Sequence, residues 1–156
     1  MRSSAASDVY KRQLLGYNKY NYKERKTVEA MILKINFDSE EALYMQLCNQ
    51  IIVGIATDML HEGDNLPSVR QLAEDIGINM HTVNKAYSVL RQEGFLRLDR
   101  RRGAVVALNM DKLQALAEMR EELGIVLARG FCRNVSREEV HALVDEIFED
   151  FSGQGE

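Results

Sequence analysis

Two segments near the middle of the chain repeat apolar residues with the period of a helix and leave the opposite positions polar. In the first segment the repeat is formed by Val69, Leu72, Ala73 and Ile76. Ser68 precedes it and forms a Ser-x-x-Gln capping box with Gln71, while Gly77 follows it as a left-handed stop. The pattern therefore predicts a helix of about two turns that starts at Ser68 and ends at Gly77.

A second helix is predicted directly after this stop, with Asn79 as its N-cap. Its apolar face is formed by Val83, Ala86, Tyr87 and Leu90, and its polar face by His81, Thr82, Asn84, Lys85 and Ser88. Such polar side chains can donate to phosphates or base edges from a helix that lies in the major groove. A solvated surface helix carries a similar face, so this helix alone does not decide for nucleic acid.

A basic hairpin is predicted next in the chain. Residues 95–99 and 103–108 read as two strands, and Arg100, Arg101 and Arg102 stand between them at the turn. Three adjacent guanidinium groups repel one another unless an anion binds them, and nucleic-acid phosphate meets that need. Two short helices around a tight turn, followed by such a hairpin, predict a winged helix-turn-helix that reads DNA.

Helical repeats also flank this module. Residues 41–60 predict a long helix with a wide apolar stripe, ended by Gly63, that packs beneath the two short helices. Beyond the hairpin, two more apolar stripes are separated by a turn containing Gly130, and Ser136 and Glu139 cap the last helix. These two helices cannot bury both stripes against each other and also reach the module, so a two-fold partner subunit is expected to cover the remainder. The alternative is an intramolecular cap on the first helix.

At this point the residues resemble the GntR family of bacterial transcription regulators, and in particular its short YtrA-like branch. The resemblance runs from about Ile32 to the end of the chain and rests on the segments LPSVRQLA, TVNKAY and EGFL. It implies that the C-terminal helical hairpin is a dimerisation element and that Arg70 contacts the DNA backbone or a base. Met80 departs from the arginine or proline of many relatives, so the operator sequence does not carry over. Arg101 stands where the wing of relatives usually has a glycine.

The predicted fold class is mainly α with a small β hairpin: a winged helix-turn-helix over 31–108 followed by a two-helix dimerisation hairpin over 109–156. The predicted double-stranded DNA-binding residues are Ser68, Arg70, Asn79, His81, Thr82, Asn84, Lys85, Arg100, Arg101, Arg102 and Gly103. The predicted dimerisation residues are Leu113, Leu116, Leu123, Leu127, Val140, Leu143, Val144, Ile147, Phe148 and Phe151. Residues 1–30 are expected to be a basic, disordered extension, read either as an arm that follows DNA or as sequence foreign to the natural domain.

The net charge of −4 becomes compatible with DNA binding once it is divided along the chain. Residues 66–107 carry 7 basic and 4 acidic groups, whereas residues 108–156 carry 5 and 11. Because salt screens charges beyond roughly 8 Å, the local field on the face that meets phosphate decides binding. The predicted module is therefore basic where contact with DNA is expected.

Other functional classes receive less support from the residues. The chain has no Ser/His/Asp set, no Walker loop and no paired carboxylates outside solvated helix faces, so an enzyme is not expected. No metal or cofactor is expected, because the three histidines lack ligand spacing, and Cys48 and Cys132 are interpreted as small buried hydrophobes. No apolar run is long enough to span a membrane, and a cytoplasmic homodimer is expected. Two alternatives stay open: a winged helix that contacts proteins, and a regulator that senses a small effector at its dimer seam.

Overall fold

The computed structural model describes residues 33–109 and 111–152 of the chain. This part contains five helices and one antiparallel hairpin, in the order α1 (Leu43–Ala56), α2 (Val69–Ile76), α3 (Met80–Gln92), β1 (Leu96–Asp99), β2 (Gly103–Val106), α4 (Lys112–Phe131) and α5 (Arg137–Ser152). The fold class predicted from the sequence, a winged helix-turn-helix followed by two helices, is confirmed. The basic extension predicted over 1–30 lies outside the described residues.

The hydrophobic core lies where α1, α2, α3 and the hairpin meet. Leu47 and Ile51 of α1 pack with Val83 and Leu90 of α3, and all four side chains are at most 1% exposed. Val106 of β2 joins them from the hairpin side. The apolar repeats of α1, α2 and α3 therefore face one shared core, and within the helix-turn-helix α1 packs mainly against α3.

The two cysteines differ in environment. Cys48 is buried in this core, where its thiol lies 3.5 Å from the carbonyl oxygen of Ala86, and burial raises its pKa to about 11. Cys132 is exposed, so its interpretation as a buried hydrophobe is wrong. It follows α4 as its C-cap, beyond the reach of the core.

The first helix ends earlier than the sequence predicts. It stops at Ala56, because Asp58 adopts a left-handed conformation with φ of 56°, and the backbone N–H groups of Met59 and Leu60 both donate to the carbonyl of Gly54 at 2.9 Å. A short acidic side chain tolerates this conformation better than most. The stop assigned to Gly63 is therefore wrong.

An extended segment over 33–36 is fixed to α1 by two buried glutamines. The Gln50 side chain accepts a hydrogen bond from the backbone N–H of Lys34 at 2.9 Å and donates to the carbonyl of the same residue at 2.8 Å. Gln46 forms the equivalent pair with Asn36 at 2.9 and 3.0 Å and also donates to the carbonyl of Glu41. Both glutamines are 1% exposed, so these bonds satisfy polar groups that burial would otherwise leave unpaired.

The two C-terminal helices expose their apolar stripes: none of their described residues is buried. The turn between them lies after Gly130 and not around it, because α4 continues to Phe131 and the left-handed residue is Asn134, with φ of 60°. The predicted capping box at the start of α5 is present. The backbone N–H of Glu139 donates to the Ser136 hydroxyl at 3.2 Å, and the N–H of Ser136 donates to the Glu139 carboxylate at 2.7 Å.

Candidate nucleic-acid interface

The turn between α2 and α3 is fixed by capping groups on both sides. The Ser68 hydroxyl accepts from the backbone N–H of Gln71 at 3.1 Å, and the Asn79 side chain accepts from the N–H of His81 at 2.8 Å. Gly77 occupies the left-handed region between them, with φ of 70°. The capping box predicted for α2 is only half formed, because the Gln71 amide donates to the Asp75 carboxylate and not back to Ser68.

A single long-range hydrogen bond sets the position of α3 relative to the start of α2. The Tyr87 hydroxyl donates to the carbonyl of Pro67 at 2.8 Å, one residue before the N-cap of α2. Tyr87 is 7% exposed, and burial raises its pKa well above the usual value. The phenol therefore remains a neutral donor, and it connects α3 to the residues that precede α2.

The face of α3 opposite the core presents polar side chains to solvent, as predicted. His81, Asn84 and Lys85 are exposed, and Thr82 is half-buried. Met80, the first residue of α3, is 50% exposed and adds an apolar group at the same end of the helix. These residues lie in the N-terminal half of α3, where a helix placed in a groove brings its side chains nearest to base edges.

The wing turn is held by an aspartate at its base. The Asp99 carboxylate accepts from the backbone N–H groups of Arg101 and Arg102 at 2.8 and 2.9 Å, and these two bonds hold its pKa below the usual value. Gly103 follows with φ of 79°, so the left-handed position of the turn falls on a glycine and Arg101 is not left-handed. The three arginine side chains of the turn are all exposed.

The segment between α1 and α2 lines the second edge of β2. The backbone N–H of Val106 donates to the carbonyl of Asp64 at 2.9 Å, and the N–H of Leu66 donates to the carbonyl of Ala104 at 2.9 Å. The Arg102 guanidinium reaches the same segment and donates to the carbonyl of Gly63 at 2.8 Å. The wing is thus supported on both sides, by β1 and by this segment, and Arg102 is partly committed to that support.

Arg70 and Lys85 have different partners within the protein. Arg70, on α2, forms an ion pair with Glu74 at 3.1 Å, in which both side chains are largely exposed. Lys85 lies over the ring of Tyr44, with its ammonium 3.8 Å from the ring centroid. Tyr44 was not predicted as a site residue, because on α1 it reads as one more member of the apolar stripe. No local signal in the sequence links it to Lys85, which follows 41 positions later.

The structure places the predicted dimerisation residues on exposed surface. In α4 the exposed fractions are 81% for Leu113, 51% for Leu116, 43% for Leu123 and 42% for Leu127. In α5, Leu143, Val144, Ile147, Phe148 and Phe151 are 38 to 64% exposed, and Val140 is half-buried. Met119, Ile125, Val126 and Phe131 extend the apolar surface of α4 beyond the predicted set. Among the described residues, no helix is long and apolar enough to cross a membrane.

Comparison with known proteins gives consistent matches. The family model for bacterial regulatory proteins of the gntR family matches residues 43–106, from α1 to the end of β2. The HTH-type transcriptional repressor YtrA of Bacillus subtilis is 30% identical over 125 residues, which is 78% of this chain and 96% of that protein.

Two solved structures resemble the fold closely. A protein described as a transcriptional antiterminator from Listeria monocytogenes has a TM-score of 0.70 at 31% identity and covers 80% of this chain and 94% of its own. YtrA from Sulfolobus acidocaldarius, described as a GntR-family transcription factor, has a TM-score of 0.55 at 39% identity and covers 65% and 98%. Both structures thus cover more of this chain than residues 43–106, which the family model matches.

Proposed function

The chain belongs to the GntR family of bacterial regulatory proteins, and on this premise we propose that it represses transcription by binding an inverted-repeat operator as a homodimer. Its relatives and its fold are those of DNA-binding transcription regulators and not of enzymes. The observation that carries the proposal is the pairing of a basic winged module with two helices whose apolar stripes are not covered by any of the residues that the structure describes.

The cations of the module support contact with the DNA backbone. Arg100 and Arg101 extend from a turn whose backbone is already fixed by Asp99, so little ordering is left for binding to supply. Arg70 forms an ion pair with the exposed Glu74 carboxylate. Because such surface ion pairs contribute little free energy, a phosphate can replace Glu74 at small cost. These groups position the protein on DNA but do not identify a sequence.

Sequence recognition is assigned to the exposed start of α3. Asn84 offers both a donor and an acceptor, the pairing that an adenine edge presents in the major groove. His81 lies one turn before Asn84 on the same face, and the half-buried Thr82 lies at the edge of that face. We infer that these three side chains read bases, while the wing and Arg70 hold the helix in register.

The uncovered stripes support a two-fold dimer. Monomeric proteins rarely leave contiguous apolar surface of this extent in water, and a second copy is the simplest complementary partner. A dimer presents two α3 helices related by two-fold symmetry, and its preferred site is then an inverted repeat with half-sites about one helical turn, or a multiple of it, apart. The repressor role rests on the similarity to YtrA of Bacillus subtilis, which carries that name.

Two measurements test the proposal. Selection of bound duplexes from a random pool is expected to return an inverted repeat, and a pool without an enriched motif would contradict sequence-specific binding. Sedimentation then compares Leu143→Asp with Ala142→Asp. The second variant places the same charge on the side of α5 that faces away from the apolar stripe. We expect Leu143→Asp to give a folded monomer with weak half-site binding, and Ala142→Asp to remain a dimer. A wild-type monomer, or equal effects of the two variants, would contradict the dimer.

A further inference from the structure

Tyr44 and Lys85 form a contact between the first helix and the exposed face of α3. The Lys85 ammonium lies 3.8 Å from the centroid of the Tyr44 ring, within the range of a cation–π interaction. Tyr44 lies in the first turn of α1 and packs, half-buried, against the hydrophobic core. Lys85 is exposed and lies one turn after His81. The ring is therefore an anchored platform beneath a side chain that faces solvent.

The chemistry of this partner matters because the ring orients the lysine without neutralising it. An exposed lysine on a helix samples many rotamers and loses that freedom when it binds. A carboxylate partner, such as Glu74 for Arg70, also restricts a cation, but it offsets the positive charge that would attract a phosphate. An aromatic face attracts the ammonium through its quadrupole and leaves the full positive charge and the N–H donors in place.

We propose that Tyr44 is a positioning residue for DNA binding, whose ring holds the Lys85 ammonium at the exposed face of α3 for a phosphate of the DNA backbone. The inference rests on the proposed function and adds a residue from α1 to a surface that otherwise comes from α2, α3 and the wing. Two helices then jointly fix one phosphate contact. Because phosphate contacts fix a protein's position on the duplex, this contact would help to set where α3 lies along the groove.

The test combines Tyr44→Phe, Tyr44→Leu, Lys85→Met and the double variant Tyr44→Leu/Lys85→Met. Each full-length protein is titrated with a duplex enriched from the random pool, at salt concentrations from 50 to 300 mM. Tyr44→Phe keeps the ring and is expected to match the wild type in Kd and in salt dependence. Tyr44→Leu is expected to raise Kd about 5- to 30-fold for a dimer with two such contacts.

The salt dependence and the double variant separate positioning from folding. Removing Lys85 is expected to reduce the slope of log K against log salt by about 0.9 for each subunit, and Tyr44→Leu should move the slope toward that value. In the Lys85→Met background, Tyr44→Leu should have no further effect on Kd. A merely structural role would lower the melting temperature and raise Kd additively, with the slope unchanged.

Several outcomes would overturn the inference. Additive effects of the two single variants, or a wild-type slope in Tyr44→Leu, would show that the ring does not act through Lys85. Tighter binding by Tyr44→Leu would show that the ring withholds Lys85 from DNA. If the wild type binds no duplex in a salt-dependent manner, the proposed function itself fails together with this inference, whereas the other outcomes leave it intact.

Discussion

Replacing Arg101 by alanine tests the wing with little disturbance to its fold. The backbone N–H of Arg101, and not its side chain, donates to the Asp99 carboxylate, so alanine keeps the hydrogen bond that shapes the turn. Arg101 is exposed, and it is not left-handed, so the substitution creates neither a cavity nor strain. The variant therefore removes one positive charge at the tip and should leave the stability of the module nearly unchanged.

The expected loss follows from counterion release. If Arg101 contacts one phosphate in each subunit, a dimer loses two contacts, and the slope of log K against log salt falls in magnitude by about 1.8. With about 0.9 per contact and 1 M salt as reference, binding should weaken about 60-fold at 0.1 M salt and only about 5-fold at 0.4 M. If one phosphate is neutralised in each subunit by every cation predicted to bind DNA, the slope for the dimer is about −9. These cations are Arg70, Lys85, Arg100, Arg101 and Arg102.

The assay is fluorescence anisotropy with a duplex enriched from the random pool, repeated at five salt concentrations, and with an unrelated duplex of equal length. If Arg101 contacts phosphate and not a base, both duplexes should lose affinity by the same factor. Arg133→Ala removes an equal charge from the turn between α4 and α5 and serves as the matched control. The reasoning is refuted if Arg101→Ala keeps the wild-type slope, or if Arg133→Ala reduces the slope equally.

Three further predictions concern recognition and pH. Asn84→Ala should broaden the motif recovered by duplex selection while leaving the salt slope unchanged; an unaltered motif would assign Asn84 to the backbone or to structure. The lowered pKa of Asp99 means that its contribution to stability is present above about pH 4 and lost below it. The difference in melting temperature between wild type and Asp99→Ala should therefore shrink on acidification, and a pH-independent difference would exclude the carboxylate. Burial and the charges of Glu122 and Glu118 raise the pKa of Glu93, so its ionised form is destabilising at neutral pH. Glu93→Gln should therefore raise the melting temperature at pH 7 but not below about pH 4, whereas the control Glu121→Gln should not raise it at pH 7. Equal increases for the two variants at pH 7 would contradict this assignment.

The winged helix-turn-helix was predictable from sequence because its signals are local. A helix period, a capping side chain and a glycine stop each act over a few residues, and Ser68, Gly77 and Asn79 take the roles that their positions indicate. The same holds for Ser136 and Glu139, whose reciprocal hydrogen bonds follow from their spacing alone. Local chemistry of this kind survives in the folded chain wherever tertiary contacts do not compete with it.

The features that sequence reasoning missed depend on competition between residues or on contacts distant along the chain. The helix ends were assigned to Gly63 and to a turn around Gly130, but the left-handed residues are Asp58, which ends α1 before Gly63, and Asn134, which follows Gly130, because short polar side chains can also adopt that conformation. Gln46 and Gln50 read as ordinary polar positions, and only the folded chain brings the segment over 33–36 within their reach. Tyr44 could not be predicted as a site residue for the same reason, because its partner Lys85 lies on another helix.

The exposed C-terminal helices have a consequence for how the protein can change over evolutionary time. At 1.5 Å per residue, α4 spans about 30 Å. Its described residues are not buried, so an insertion after Gly124 would disturb no core packing. Seven added residues lengthen such a helix by about 10 Å and turn its far end by only about 20°. In the proposed dimer this changes the separation of the two modules while every base-reading side chain stays the same. A single insertion can thus give a descendant the same half-site in a new spacing.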